Sequence, residues 1–365
     1  MTRSIVRVAV DTPLRRLFDY LPSRDESLPV QVGVRVRVPF GRQQLIGVVH
    51  SLADSSPLPP EKLKPLLEVL DAEPVIDAAV MALIDFSAQY YHHSLGEVIG
   101  AALPKLARTG APSHATIERW YPSAAGADAL ARQSLKRARR QRELLEVLRD
   151  RPGIDSAALA ERFDDWRTPM RALVERGLAS SADIPVESDR PEMPLLRAVG
   201  PPLSADQATA VSAIDAAASR FASFLLYGIT GSGKTEVYLH AVEHCLRREK
   251  RALVLVPEIG LTPQLVGRFR ERFAVPVAVL HSGLTDGERL AAWRECVSGA
   301  ARIVLGTRSA VFAPVADLGI VIVDEEHDAS FKQHESGFRY SARDLAILRA
   351  QRAQAPIVLG SATPS

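Results

Sequence analysis

The chain opens on runs of alternating apolar and polar residues. SIVRVAVD (residues 4–11), GVRVRVPFG (33–41) and QQLIGVVHSL (43–52) place apolar side chains at every second position, the period of a half-buried strand. Gly33, the turn Pro39-Phe40-Gly41 and the loop SSPLPP punctuate these runs and predict a small, mostly β domain. The period then lengthens: AAVMALIDFSAQYYHH (78–93) carries apolar residues at helical spacing. Residues 105–135, rich in Ala, Ser, Gly and Pro, read as a linker with one short strand at TIERWYP. Helical spacing returns at 134–150, 155–164 and 168–185, where Gly177 is placed to cap the last helix ahead of a strand-like tail. This pattern resembles a winged helix, and a plain three-helix connector fits it too. A polar, Pro-rich stretch (187–202) follows.

From Leu203 the rhythm changes again. FLLYG, ALVLVP, VAVLH, RIVLG, GIVIVD and PIVLG are nearly continuous apolar runs separated by longer amphipathic stretches. Strands this apolar are covered on both faces, so the pattern predicts an α/β fold, a parallel sheet with flanking helices. The expected division is residues 1–105, 106–198 and 199–365.

Composition adds bounds. The 365 residues are 47% hydrophobic and 24% charged, with a net charge of +2, so any nucleic-acid surface is a local patch rather than a global field. The only two cysteines, Cys245 and Cys296, stand far apart, which argues against a disulfide framework or a cysteine-based zinc site. The first residues have no sustained apolar stretch of the signal-peptide kind, and no run approaches a membrane span. The expectation is a soluble, cytoplasmic protein with no membrane partner.

Gly228-Ile229-Thr230-Gly231-Ser232-Gly233-Lys234-Thr235 matches the phosphate-binding loop GxxxxGK[ST], set between a predicted strand and a predicted helix. In such a loop the backbone N–H groups face phosphate oxygens and the helix N-terminus adds its positive end. Lys234 is the candidate to reach the β- and γ-phosphates of ATP, and Thr235 to ligate Mg²⁺. The run IVIVDEEHD then delivers Asp324 and Glu325 at a strand's C-terminal end, where ligands of parallel sheets collect. Asp324 is the candidate for holding Mg²⁺ and Glu325 for activating the attacking water. His327 is a candidate for coupling this site to DNA-binding segments. Gln207, ahead of the loop, has a donor and an acceptor that suit an adenine edge, and as a helix Gln it could equally be solvated. SFKQHESGFRYSARD mixes Phe331, Phe338 and Tyr340 with Lys332, Arg339 and Arg343, a combination that suits single-stranded DNA. The basic run Lys136, Arg137, Arg139, Arg140 and Arg142 is a solvated face or a phosphate patch for forked DNA.

The segments GITGSGKTEVYL, VPEIGLTPQ, HSGLTDGERLAAW, LGTRSAVFAP, VDEEHDASFKQHESGFRYSARDLA and LGSATPS, in this order, together resemble the PriA (primosomal protein N′) family of superfamily 2 replication-restart DNA helicases. LFDYLP, VRVPFG and YYHHSLGEV resemble that family's N-terminal DNA-binding region. The resemblance implies a RecA-like P-loop helicase lobe with a DEAH-like box, preceded by a small β domain and a winged helix. It implies an ATP- and Mg²⁺-dependent 3′-to-5′ helicase acting on forked and single-stranded DNA, with other primosome proteins and single-stranded DNA-binding protein as partners. The alternative is a fork or 3′-end binding module that binds ATP and does no work. By the same resemblance Phe18, Asp19, Tyr20, Gly41 and Lys64 form a pocket for the 3′ end of a nascent strand, although core packing alone accounts for aromatics in such strands. The aromatic loop links DNA to hydrolysis, and Thr262, Gln264, Thr307 and Arg308 are backbone contacts. Ser361, Ala362 and Thr363 resemble the Ser-Ala-Thr coupling element. In that family a second lobe with an arginine finger, a zinc insertion and a further domain lie beyond residue 365. The chain is therefore expected to lack zinc ligands and to hydrolyse ATP poorly, since a missing arginine finger costs ~10³–10⁵ in rate.

Overall fold

The computed structural model describes the chain apart from residues 1–4, 24–27, 115, 133, 136, 137, 186–193, 230, 335, 336 and 365, and apart from the side chains of residues 183 and 185. The described chain forms two compact units, residues 114–189 and the remainder.

The larger unit begins with β1 (Ile5–Val10), β2 (Phe18–Tyr20), β3 (Arg35–Phe40), β4 (Gln43–Ala53) and β5 (Glu68–Val69). They form an antiparallel sheet of order β2-β1-β4-β3-β5. The hairpin joining β3 to β4 turns on Gly41 at φ +58°, the left-handed conformation that tight hairpins demand. Alternation decides the faces. Val6, Val8, Val36, Val38 and Val49 close one core. Ala9 and Val48 face a second core, shared with α1 (Ala78–Tyr90), α2 (Leu95–Ala102) and α3 (Lys105–Arg108). Beneath this sheet Arg35 and Asp71 form a fully buried ion pair, bidentate at 2.7 and 2.9 Å. Arg35 also donates to the carbonyls of Ala107 and Ala111.

The smaller unit contains β6 (Thr116–Pro122), α4 (Ala124–Ala131), α5 (Arg139–Asp150), β7 (Ile154–Asp155), α6 (Ser156–Arg162), α7 (Arg167–Glu175) and β8 (Ala179–Pro185), with sheet order β7-β6-β8. From α5 to β8 the succession is helix, strand, helix, helix, strand, and the third strand of the sheet, β6, precedes α5. Gly177 closes α7 at φ +66°, with its N–H on Val174 and that of Leu178 on Leu173, the paired bonds of a Schellman cap. The linker expected over residues 105–135 is largely structured. Thr116–Pro122 is the central strand of this sheet, and α4 starts at a Ser123 cap. The strand is the one expected at TIERWYP, whereas the Ala-rich composition masked α4.

The rest of the larger unit comprises α8 (Ala205–Asp215), β9 (Ala222–Tyr227), α9 (Lys234–Arg247), β10 (Arg251–Leu255), α10 (Pro263–Arg272), β11 (Val277–Leu280), α11 (Asp286–Val297), β12 (Ile303–Gly306), β13 (Leu318–Val323), α12 (Ala342–Arg352) and β14 (Pro356–Ser361). The six strands pair in parallel in the order β11-β12-β10-β13-β14-β9, the RecA-like arrangement. Val211 of α8, Val242 of α9 and Phe269 of α10 pack on one face. On the other face Trp293, Phe312 and Leu345 join the core that contains Leu83, Ile84, Val98 and Ile99 of α1 and α2. The antiparallel sheet and the parallel sheet thus share one hydrophobic core. β9 departs from the expected pattern: it is an edge strand, and Leu225 and Tyr227 remain 54% and 67% exposed.

Candidate functional site

β9 runs into Gly228, and Gly231 and Gly233 adopt φ of +85° and +84° before α9 begins. These left-handed positions curl the loop onto the helix N-terminus, a setting that favours anions. Lys234 Nζ donates to Gly228 O at 2.7 Å and lies 3.3 Å from Glu325 Oε1. Gln207 braces the loop from α8: its Oε1 accepts from Ser204 N, and its Nε2 donates to Ser232 O at 3.3 Å. Both ends of its amide are therefore engaged. Thr230 lies outside the described residues; Ile229 is exposed, and Thr235 is half-buried in the first turn of α9.

β13 delivers the acidic box beside this loop. Asp324 Oδ1 accepts from Tyr238 Oη at 2.8 Å and from Glu325 N at 3.1 Å. Burial pushes the Asp324 carboxyl above its ordinary value, against the pull of the Tyr238 hydrogen bond. Burial, and the carboxylate beside it, push the Tyr238 phenol up as well. Glu325 takes φ +46°, a strained turn for a non-glycine residue. β14 completes the set. Ser361 O accepts from Gly228 N at 3.1 Å, and Ser361 Oγ lies 2.8 Å from His327 Nδ1 while accepting from Thr363 N. His327 Nδ1 is in turn 3.8 Å from Glu325 Oε2. The loop, the box and the Ser361 turn are one polar network. Thr235 and Asp324 offer a hydroxyl and a carboxylate, and among the described residues no group of three or more His, Cys, Asp or Glu could hold a metal by itself. That donor set fits Mg²⁺ taking most of its oxygens from phosphates and water. Cys245 and Cys296 are buried in separate cores, and burial pushes each thiol up to about 12.

A second cleft, about 700 Å³, opens on the antiparallel sheet and is lined by Phe18, Asp19, Tyr20, Gly41 and Lys64. The ring of Phe18 meets the edge of Phe40 at 5.0 Å and lies under the Arg16 guanidinium. Asp19 is 3.6 Å from Arg7, its cross-strand partner. Tyr20 is buried, donates to Pro39 O at 3.3 Å, and has its phenol pushed up to about 12 by burial. Arg7, Arg16 and Phe40 escaped the sequence reading. The signal for Arg7 is strand register and that for Phe40 is a contact between non-neighbouring strands, both of which only the folded sheet supplies.

The aromatic segment is a hairpin, closed by a bridge between Lys332 and Ser341 and by Gln333 N donating to Tyr340 O. Phe331, Phe338 and Tyr340 are buried, whereas Lys332 and Arg339 are exposed. Phe338 and Tyr340 stack at 4.6 Å. Arg343 pairs with buried Glu326 at 2.8 Å. Arg308 donates to the carbonyls of Ser330 and Lys332, bracing the hairpin, while Thr307 is buried. Thr262 caps α10 by accepting from Leu265 N, and Gln264 is exposed on its first turn. In the smaller unit Arg139 and Arg142 each face a glutamate one turn on, at 2.7 and 3.6 Å, and Arg140 is exposed. Lys136 and Arg137 lie outside the described residues.

Residues 7–104 match the model of the PriA 3′ DNA-binding domain, and residues 204–365 match that of the DEAD/DEAH box helicase. The chain is similar to the replication restart protein PriA of Haemophilus influenzae, 41% identical over 99% of this chain and 49% of the relative. The Bacillus subtilis protein of the same name is 32% identical over 99% of this chain and 53% of the relative. The chain thus spans about half the length of these curated relatives. Among solved structures, the helicase domain of Pyrococcus furiosus Hef aligns with 44% of this chain and 32% of its own at 22% identity, with a TM-score of 0.32. No helix among the described residues is long and apolar enough to cross a membrane.

Proposed function

The chain belongs to the family of the replication restart protein PriA, and on that premise we propose that it carries the DNA-binding region and the first RecA-like lobe of an ATP-dependent 3′-to-5′ DNA helicase. Residues 1–105 serve as the 3′-end binding domain, 106–198 as a linker and winged helix on forked DNA, and 199–365 as the ATP-binding lobe. The observation that carries the reading is the network joining Lys234, Glu325, His327, Ser361 and Gly228 across three strand ends.

In this reading Lys234 leaves the Gly228 carbonyl for the phosphates of ATP, and the loop from Gly228 to Thr235 wraps them. Thr235 and Asp324 would hold Mg²⁺, which would supply positive charge against the phosphates. Glu325 orients the attacking water. His327, Ser361 and Thr363 relay the state of that site to the hairpin bearing Phe331, Lys332, Phe338, Arg339 and Tyr340, the segment for single-stranded DNA. Phe18, Asp19, Tyr20, Gly41 and Lys64 receive the nascent 3′ end. The wider partners are other primosome proteins and single-stranded DNA-binding protein, in the cytoplasm.

Two measurements test the reading. Lys234→Ala should weaken binding of a fluorescent ATP analogue with Mg²⁺ by roughly 10–100-fold, the loss of one or two charge-assisted hydrogen bonds. Unchanged affinity in the folded variant would overturn the nucleotide site. Forks whose nascent strand ends in a 3′-hydroxyl should bind tighter than forks ending in a 3′-phosphate, and equal affinity would remove the 3′-end pocket.

A further inference from the structure

The rings best suited to stack on bases are turned inward, and residues of the first 113 hold them there. Tyr91 and His93 sit at the corner between α1 and α2. Tyr91 Oη accepts from Ser341 N at 3.2 Å, and His93 Nε2 accepts from Arg339 N at 3.3 Å. These two amides flank Tyr340, on the arm of the segment that carries both stacked rings. The same two side chains make T-shaped contacts with Phe338, with ring centroids at 6.1 and 5.3 Å and interplanar angles of 77° and 82°. His92 at φ +57° makes the corner that aims them. His93 is held in turn by Glu97, at 3.6 Å, whose carboxylate also takes part in the cap of α2. On the far side Phe312 closes over Phe338 and Tyr340 at 6.0 and 5.4 Å.

We infer that Tyr91 and His93 are positioning residues that latch the aromatic hairpin with its rings buried, and that single-stranded DNA engages those rings only when the latch releases. The inference rests on the proposed reading of this hairpin as a single-strand contact. Its physical content is a two-state equilibrium. The latched state hides Phe338 and Tyr340 and leaves Lys332 and Arg339 as the exposed contacts, whereas the released state offers rings and cations together. A ligand that needs the released state binds more weakly by the fraction of time the state is populated. Linkage then runs both ways: DNA on the rings weakens the hold of the α1–α2 corner, and events that move the corner change the affinity for DNA.

The test uses the whole 365-residue chain and a 5′-labelled dT20 blocked by a 3′ phosphate, so that the cleft on the antiparallel sheet has no free 3′ end to read. The pair Tyr91→Phe and His93→Ala removes both acceptors and one ring. Exchange of the Arg339 and Ser341 amides should speed up about tenfold, and dT20 should bind about 3–10-fold tighter. A purely structural role for these side chains gives the opposite sign, because loosening a binding surface weakens binding. Unchanged or weaker dT20 binding in a folded variant overturns the latch. If the pair does not fold, Tyr91→Phe alone carries the test with the same sign and a smaller shift. Phe338→Ala separates the two readings. If it leaves dT20 affinity unchanged in both backgrounds, the hairpin is not a single-strand contact and the proposed reading falls with the latch. If it weakens binding in the released background while release itself brings no tightening, the latch alone falls.

Discussion

At the ends of β9, β13 and β14 the candidate site is made of neighbours in sequence: Lys234 follows Gly228 by six positions, and Asp324 and Glu325 are adjacent. On the antiparallel sheet the candidate cleft is made of residues from different strands, Arg7 set against Asp19 by the pairing of β1 with β2 and Phe18 against Phe40 from strands that do not pair with each other. A parallel sheet collects chemistry on the turns that leave its strands, so each turn carries its own short motif. An antiparallel sheet collects it across strands, where a one-residue slip in register would dissolve the site. The first site is robust to details of the sheet and sensitive to the loops. The second is the reverse.

The largest expected effect tests whether the sheets, different in logic, are also separate in stability. Arg35→Met strands the buried Asp71 carboxylate and two carbonyls and should cost about 3–5 kcal/mol in chemical denaturation. Hydrogen exchange reads the consequence. If the shared core binds the sheets together, β10 and β13 lose protection along with β3 and β4, and loss confined to β3 and β4 would make them independent bodies. A smaller effect is expected at Gly360. A β-carbon there would fall 1.7 Å from Tyr238 Oη and 3.1 Å from Asp324 Oδ1. Gly360→Ala should cost about 1–3 kcal/mol and weaken nucleotide binding, with a second change, Tyr238→Phe, restoring part of both. A neutral Gly360→Ala would show that the end of β14 does not control the strand-end site. The smallest effect belongs to the cross-strand pair. Arg7 is partly exposed, so Arg7→Ala should lose only about 0.2–1 kcal/mol of 3′-end affinity, read by titration with an oligonucleotide bearing a free 3′-hydroxyl. A loss above tenfold would mean that Arg7 touches the DNA itself rather than holding Asp19.

Legibility in the sequence follows the same division. Continuous apolar runs marked all six parallel strands, and alternation marked β1, β3 and β4. The phosphate loop and acidic box were readable because their residues are contiguous and their flanking elements are periodic. Tyr238 was not, since it lies on the buried face of α9 and its pairing with Asp324 spans 86 positions. Gln207 was legible as a residue with two polar ends, but not as a brace that spends both on Ser204 and Ser232. The aromatic hairpin was legible in composition and not in orientation: whether a Phe faces solvent or a neighbouring Tyr depends on packing against α1 and α2, more than two hundred residues away in the chain. β6 was legible as the short strand TIERWYP, while α4 was hidden by low-contrast Ala and Gly composition, where burial supplies the order that local propensity does not.

The pairing of β6 with β8 has a consequence for how the smaller unit is carried. Thr116 stands directly opposite Pro185, so entry and exit of this unit lie side by side within its own sheet. To the host chain, which leaves at Ser113 and resumes at Arg190, the insertion has the closure cost of a short loop rather than that of some seventy flexible residues. On a logarithmic length law the difference is about 2 kcal/mol. The host can therefore be interrupted at this point with little entropic burden.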